Sequence, residues 1–202
     1  YDSRLEHYNE LRKQRIHPER DNNIKEGNVT MKNKKRFLAF DLGASGGRGM
    51  VGILEDRKLT IEELHRFPNG PTTILGSMYW NVLKLFEEMT DALSLYVKQH
   101  GKELSGIGFD TWGVDFGLLG KDGALLGNPY HYRDSRTDGM VEEACKRVSR
   151  QEIFEATGIQ FMQLNTLFQL FSMVVNRSPI LEIADTMLLM PSIFTYFFTG
   201  RK

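Results

Sequence analysis

Apolar and polar positions divide the chain into an arm, a strand-rich middle and a helix-rich end. Over residues 1–35 Arg, Lys, Glu, Asn and His dominate. The few apolar anchors there, Leu5, Tyr8 and Leu11, sit at helical spacing and predict a short helix over 2–14. Pro18 and Asp21-Asn22-Asn23 end it, and the rest of the arm reads as a mobile linker. From Arg36 the pattern becomes β-β-β-α-β. Strands are expected over 36–41, 48–55 and 59–67, with a turn at Asp56-Arg57 and with Leu59, Ile61 and Leu64 as apolar anchors of the third. Pro68-Asn69-Gly70-Pro71 breaks the chain. Residues 81–99 then carry Val82, Leu85, Phe86, Met89, Leu93, Tyr96 and Val97 on one stripe, an amphipathic helix closed by Gly101. A further strand is expected over 106–110. Beyond Pro129 helices are expected over 137–148, 150–157, 166–176 and 179–182, then a short strand over 186–190. A last helix over 192–198 is entered through Pro191 and closed by Gly200. The order specifies an α/β fold on a mixed sheet flanked by helices. It divides the chain into a polar arm, 1–33, and one domain, 34–202. Met31, followed by a lysine-rich run and the first strand, is expected to be the natural start or a fusion point.

Composition narrows the choice of partners. Lys and Arg total 26 and Asp and Glu total 26, so the formal net charge is zero. Bulk electrostatics therefore favours neither nucleic acid nor an anionic membrane surface. There is no apolar run long enough to span a bilayer and no secretory leader pattern at the start. Cys145 is the single cysteine, so no internal disulfide or thiolate metal cluster can form. A reducing cytoplasm is the expected compartment.

Three short segments carry candidate chemistry. The first runs from Phe40 to Met50, where a strand delivers Asp41 to a glycine-rich turn. Backbone N–H groups in such a turn can cradle an anion, and glycine permits positive φ and close approach. A carboxylate beside a phosphate cradle suits a divalent cation, which suggests Mg·nucleotide. The turn leads to a strand, not a helix, so it is neither a P-loop nor a dinucleotide fingerprint. A plain hairpin with an obligatory glycine explains it equally well. The second segment, Gly108 to Gly117, ends a buried strand in Asp110, Trp112, Gly113 and Asp115. Carboxylates and an aromatic face suit a polyol, and a tight hairpin with Trp112 in the core is the competing reading. The third, Asn128 to Thr137, includes His131, Arg133, Asp134, Ser135 and Arg136. Here Asp134 or Ser135 can cap a helix, both arginines can be surface charges, and His131 can be structural.

In this order and spacing, DLGASGGR, FDTWGVDFGLL and NPYHYRDSRT, with TGIQFMQLNTLFQL and LLMPSIFTYFFTG, closely resemble the FGGY carbohydrate kinases. FDTWGVDF together with YRDSRT points to the branch of that family acting on L-rhamnulose. The resemblance covers about Lys34 to Lys202. It implies an actin-like, ribonuclease H-like fold of two domains, with ATP and sugar in the cleft between them, and this chain as the N-terminal domain. It further implies that Ala44, Ser45, Gly46, Gly47 and Arg48 form the phosphate turn. Asp41 would organise Mg²⁺ through water, and Gly113 would meet a ketose with Trp112 and Asp115 beside it. Asp110, Asp134 and Asn165 are weaker candidates. The middle of the turn is glycine, where the family usually has a second hydroxyl residue. The family's catalytic Asp lies in a Gly-x-His-Asp-like segment of the second domain, beyond residue 202, with the adenosine pocket. That second domain is the implied partner, and negligible turnover is expected of this chain alone. The competing expectation is a non-catalytic actin-like module that binds a sugar or a partner.

Overall fold

The structure is a computed structural model that describes residues 34–202. The helix expected over 2–14, the linker and Met31 lie outside the described residues. Three antiparallel strands come first: β1 (Lys35–Leu42), β2 (Gly46–Glu55) and β3 (Lys58–Pro68). Asp56 and Arg57 both take positive φ, 48° and 66°, which matches the twist of a two-residue hairpin between β2 and β3. A second small hairpin follows, β4 (Pro71–Ile74) and β5 (Ser77–Trp80), where the sequence pattern showed only a break. Its turn uses positive φ at Leu75 and Gly76.

Helix α1 (Val82–His100) opens on Asn81, whose side chain accepts the Lys84 N–H at 3.1 Å, and ends at Gly101 with φ 80°. Val82, Leu85, Met89, Ala92 and Tyr96 form its buried face. β6 (Gly106–Thr111) then lies parallel beside β1, giving the mixed order β3-β2-β1-β6. β7 (Phe116–Leu119) pairs with β8 (Thr186–Leu189), so the segment after Asp110 is not a hairpin with β6.

The helical end departs from the pattern at one place. Gly139, at φ 72°, splits the helix expected over 137–148 into a 3₁₀ turn, Ser135–Thr137, and α2 (Met140–Cys145). The remaining helices are α3 (Arg150–Thr157), α4 (Thr166–Val175), α5 (Ile180–Ile183) and α6 (Met190–Thr199). Pro191 stands in the first turn of α6, and Gly200 caps its end at φ 66°. Phe198 of α6 packs 6.2 Å from the Phe40 ring and 5.1 Å from Phe86 of α1. Both helices thus cover one face of the sheet, where Leu38, Phe40, Leu42, Val51 and Phe67 are buried. Each such side chain stabilises the fold by about 1.5–3 kcal/mol.

The other face stays open among the described residues. Phe37, Leu59 and Ile61 lie there, and Leu59 and Ile61 are 58% and 61% exposed, so they do not anchor β3. Phe67, and Leu64 in part, hold that strand to the core. The pairing of β2 with β3 shifts register by one residue at Gly49/Met50. Among the described residues no helix is long and apolar enough to cross a membrane.

Candidate active site

Two motifs separated along the chain meet at one end of the sheet. In parallel strands side chains at paired positions share a face, and the register pairs Asp41 of β1 with Asp110 of β6. Both stand at the carboxyl ends of their strands, where open α/β sheets bind ligands. Across the β1–β2 hairpin Asp41 pairs with Arg48, and the two side chains form an ion pair. Ala44 and Ser45 form the exposed tip of the turn. Asn69 ties the turn to β3, donating its Nδ2–H to the Gly43 carbonyl at 2.7 Å. Between these groups lies a depression of about 210 Å³, lined by Asp41, Gly43, Ser45, Gly46, Arg48 and Arg66.

The glycines of this turn do not take the positive φ expected of them. None of Gly43, Gly46, Gly47 and Gly49 has positive φ, so the loop is not a nest of alternating handedness. Gly47 is buried, and a Cβ there would come within 2.2 Å of the Phe67 ring. A Cβ on Gly49 would lie 3.2 Å from that of Ala92 on α1. These two glycines let side chains and a helix approach the strand from behind. Gly47 is therefore a packing residue that could offer a ligand only its backbone.

Arg66 went unnoticed in the sequence. Simple alternation along β3 from Glu63 would place His65, not Arg66, on the open face. The register shift inserts one residue, so Arg66 pairs with Arg48 and His65 turns to the helix side. There His65 meets Glu88 of α1 at 2.8 Å. Arg66 itself is held by Glu63 through contacts of 3.0 and 2.5 Å.

The second motif builds a different kind of site. Asp115 is 1% exposed. Its carboxylate accepts N–H bonds from Trp80 at 2.5 Å, Trp112 at 3.0 Å and Gln169 at 2.7 Å. Burial pushes its carboxyl pKa up, and the bonds from Gln169, Trp80, Trp112 and the Tyr132 backbone pull against that shift. Asp115, expected beside the ketose, is thus enclosed and fully engaged, and it positions Trp112 instead of facing a cleft. Trp112 is half-buried, its ring 3.9 Å from that of Trp80. Gly113 is exposed, with no atom within 4 Å of where a Cβ would stand. Next to it Val114 is held at φ 69°, a strained conformation for a β-branched residue. Its carbonyl accepts from Thr166 Oγ1 at 2.7 Å, which fixes the bend.

The third motif braces this corner. His131 is buried, 4.1 Å from Trp80, and its Nδ1 accepts the Arg133 N–H at 3.0 Å. Burial, with nearby Arg133, lowers its pKa and favours the neutral ring, whose contacts are structural. Asp134 is buried too, caps the 3₁₀ turn at Arg136 N–H and accepts the Met78 N–H at 2.7 Å. Arg133 is exposed, but Arg136 is no surface charge. It donates to the Gln169 carbonyl at 3.0 Å, to Gln169 Oε1 at 2.6 Å and to Ser172 Oγ at 3.1 Å. Asn165 caps α4 without a side-chain bond and donates instead to the Gln160 carbonyl at 2.7 Å. Trp80 and Gln169, central to this network, were not singled out from sequence. Gln169 and Ser172 had a signal, two polar residues on the stripe that α4 buries.

The match to known proteins follows this geometry. Residues 36–202 match the N-terminal domain of the FGGY family of carbohydrate kinases. The chain belongs to that family, and its fold is the actin-like ATPase fold with a mixed sheet and flanking helices. Among curated relatives it is 45% identical over 168 residues to a rhamnulokinase of Bacteroides thetaiotaomicron, covering 83% of this chain and 34% of the relative. It is 40% identical over 167 residues to one from Ligilactobacillus salivarius, again 83% and 34%. The chain therefore spans about a third of the length of the curated relatives it matches. A gluconate kinase from Lactobacillus acidophilus superposes with a TM-score of 0.68 at 16% identity, covering 84% of this chain and 34% of that one. Plasmodium falciparum glycerol kinase with ADP gives 0.62 at 15% identity, over 81% and 34%. These two likenesses concern the fold.

Sugar kinases of this family use ATP, generally with Mg²⁺. The donor set is compatible with that pair. No group of three or more His, Cys, Asp or Glu residues suited to a metal occurs among the described residues. Mg²⁺ needs no such cage, since one or two carboxylates complete a shell of waters and phosphate oxygens. Asp41 and Asp110 would supply the carboxylates, and Arg48 and Arg66 would supply cationic charge for phosphates.

Proposed function

We propose that this chain is the N-terminal part of a cytoplasmic kinase that transfers the ATP γ-phosphoryl to the carbon-1 hydroxyl of L-rhamnulose. The product is L-rhamnulose 1-phosphate, in L-rhamnose breakdown. One observation carries the phosphoryl-transfer reading: Asp41 and Asp110 converge in register beside the Arg48 guanidinium. The names of the relatives support the ketose. Phosphoryl transfer depends on positioning and charge neutralisation more than on covalent chemistry by the protein. The backbone from Ala44 to Gly47 would border the phosphate tail. Arg48 would exchange its partner Asp41 for a phosphate oxygen, freeing Asp41 to hold hydrated Mg²⁺. Bound Mg²⁺ would neutralise phosphate charge. Gly113 would admit the ketose closely, because no side chain stands in its way, and Trp112 would border it. The base that activates the sugar hydroxyl, and the adenosine pocket, belong by family likeness to the second domain, the proposed partner.

Amide NMR titration with Mg·ATP tests this on the chain itself. Shifts are expected at residues 41–48 and at Arg66. Arg48→Ala should weaken binding roughly tenfold, the loss of one hydrogen bond to a charged group. A coupled assay of ADP release should show negligible turnover on L-rhamnulose with this chain. Shifts confined to other parts of the sheet would overturn the phosphate assignment. A whole kinase active on glycerol or xylulose but not on L-rhamnulose would overturn the sugar.

A further inference from the structure

Behind Gly113 lies a cavity of about 170 Å³. Val114, Ile153, Ile159, Phe161, Leu167 and Phe168 give it apolar walls. Both hydroxyl groups in its lining have their hydrogens committed, and the remaining polar side chains are the Gln160 and Asn165 amides. Thr157 Oγ1 donates to the Ile153 carbonyl at 2.8 Å, and Thr166 Oγ1 donates to the Val114 carbonyl at 2.7 Å. The Asn165 amide donates to the Gln160 carbonyl at 2.7 Å. A hydroxyl turned towards the apolar walls would exchange water for a surface that offers few hydrogen bonds, whereas a methyl group would lose nothing. The strained turn at Val114 joins the exposed Gly113 directly to this wall.

We infer that this cavity is a specificity subsite that receives the terminal methyl group of a 6-deoxyketose and disfavours the corresponding hydroxymethyl sugar. The inference rests on the L-rhamnulose reading above and names the part of the site that selects it. L-Rhamnulose and L-fructose differ only at carbon 6, methyl against hydroxymethyl, so they form the matched pair of probes. An apolar pocket separates such a pair modestly, by roughly tenfold to a hundredfold.

Saturation-transfer NMR on the 202-residue chain, with either sugar in excess, reads weak binding and shows which ligand protons touch protein. The methyl protons of L-rhamnulose should take up saturation most strongly. L-Fructose should need roughly tenfold more sugar for an equal response. Leu167→Asn alters the rim without emptying the core, because Leu167 is 45% exposed. It should weaken the methyl signal and narrow the gap between the two sugars. Even saturation over all L-rhamnulose protons, or equal response to both ketoses, would overturn the subsite while leaving the ketose reading intact. No response from either ketose would overturn both.

Discussion

Around the β1–β2 turn, the candidate binding groups lie at the surface and are held by two ion pairs, Asp41 with Arg48 and Glu63 with Arg66. Around Asp115 they are enclosed, with three side-chain N–H bonds converging on a single carboxylate. The difference follows from what each end would hold. A phosphate brings its own charge and can displace Arg48 from Asp41, so that end needs only a shallow, polar depression. A neutral sugar offers directional hydroxyls and an apolar side. The corner that would meet it must already have its shape, and the Trp80–Trp112 stack supplies that. Cost differs accordingly. A half-exposed ion pair contributes about 0–1 kcal/mol, whereas a buried, hydrogen-bonded carboxylate lost from its partners costs several kcal/mol.

The largest expected effect attacks the enclosed end. Asp115→Ala would leave the N–H groups of Trp80, Trp112 and Gln169 without their acceptor. A loss of about 4 kcal/mol in urea unfolding is expected. A loss below about 1 kcal/mol would show that the corner is no more tightly built than the turn. Next comes a pair of glycines, one at each end. Gly47→Ala forces a Cβ into the Phe67 ring and should cost about 2 kcal/mol. Gly113→Ala meets nothing within 4 Å and should leave the unfolding midpoint unchanged, lowering only the response to a ketose. Reversal of that order would mean that the glycines had been assigned to the wrong tasks.

The smallest effect is the pH dependence from His131. Its pKa in the fold is lowered, so the neutral ring is favoured. The stability it contributes is present above the unfolded value of about 6.5 and is lost as pH falls from there towards the folded value. Asp115 acts in the opposite sense: its raised carboxyl pKa costs stability as pH rises from about 3.9, so it cannot mimic a loss on acidification. Urea midpoints at about pH 7.5 and about pH 5.5 should differ more for the wild type than for His131→Gln.

Elements governed by local rules were legible in the sequence. Strand β1, helix α1 and the Pro191–Gly200 frame of α6 follow from periodicity and caps, and each lies within two residues of its expected bounds. Strands β6 and β8 were expected as well, although their partners lie far along the chain; the β4–β5 hairpin and β7 were not. The β4–β5 hairpin is stitched to the segment after Asn128 by Trp80 N–H to the Pro129 carbonyl and His131 N–H to the Met78 carbonyl, both at 2.9 Å. β7 finds its partner only at β8. The candidate site shows the same division. Asp41, Arg48, Trp112 and Gly113 stood out through their motifs, because turn and strand end are local. Trp80 and Arg66 acquire their places from pairing and packing that periodicity cannot count, and Gln169 showed only as a polar residue on a buried stripe. Leu59 and Ile61 alternate as core residues do, yet they occupy the face that the helices leave bare.

The register shift at Gly49/Met50 makes the anion wall a matter of parity. One added residue on β3 decides whether a guanidinium or an imidazole looks into the depression, and hence whether a planar fork of donors or a single ring faces a ligand. A substitution scan along β3 would not expose this, since the determinant is a count of residues and not the identity of any one. A shortening by one position would rewrite the wall's chemistry while every side chain kept its name.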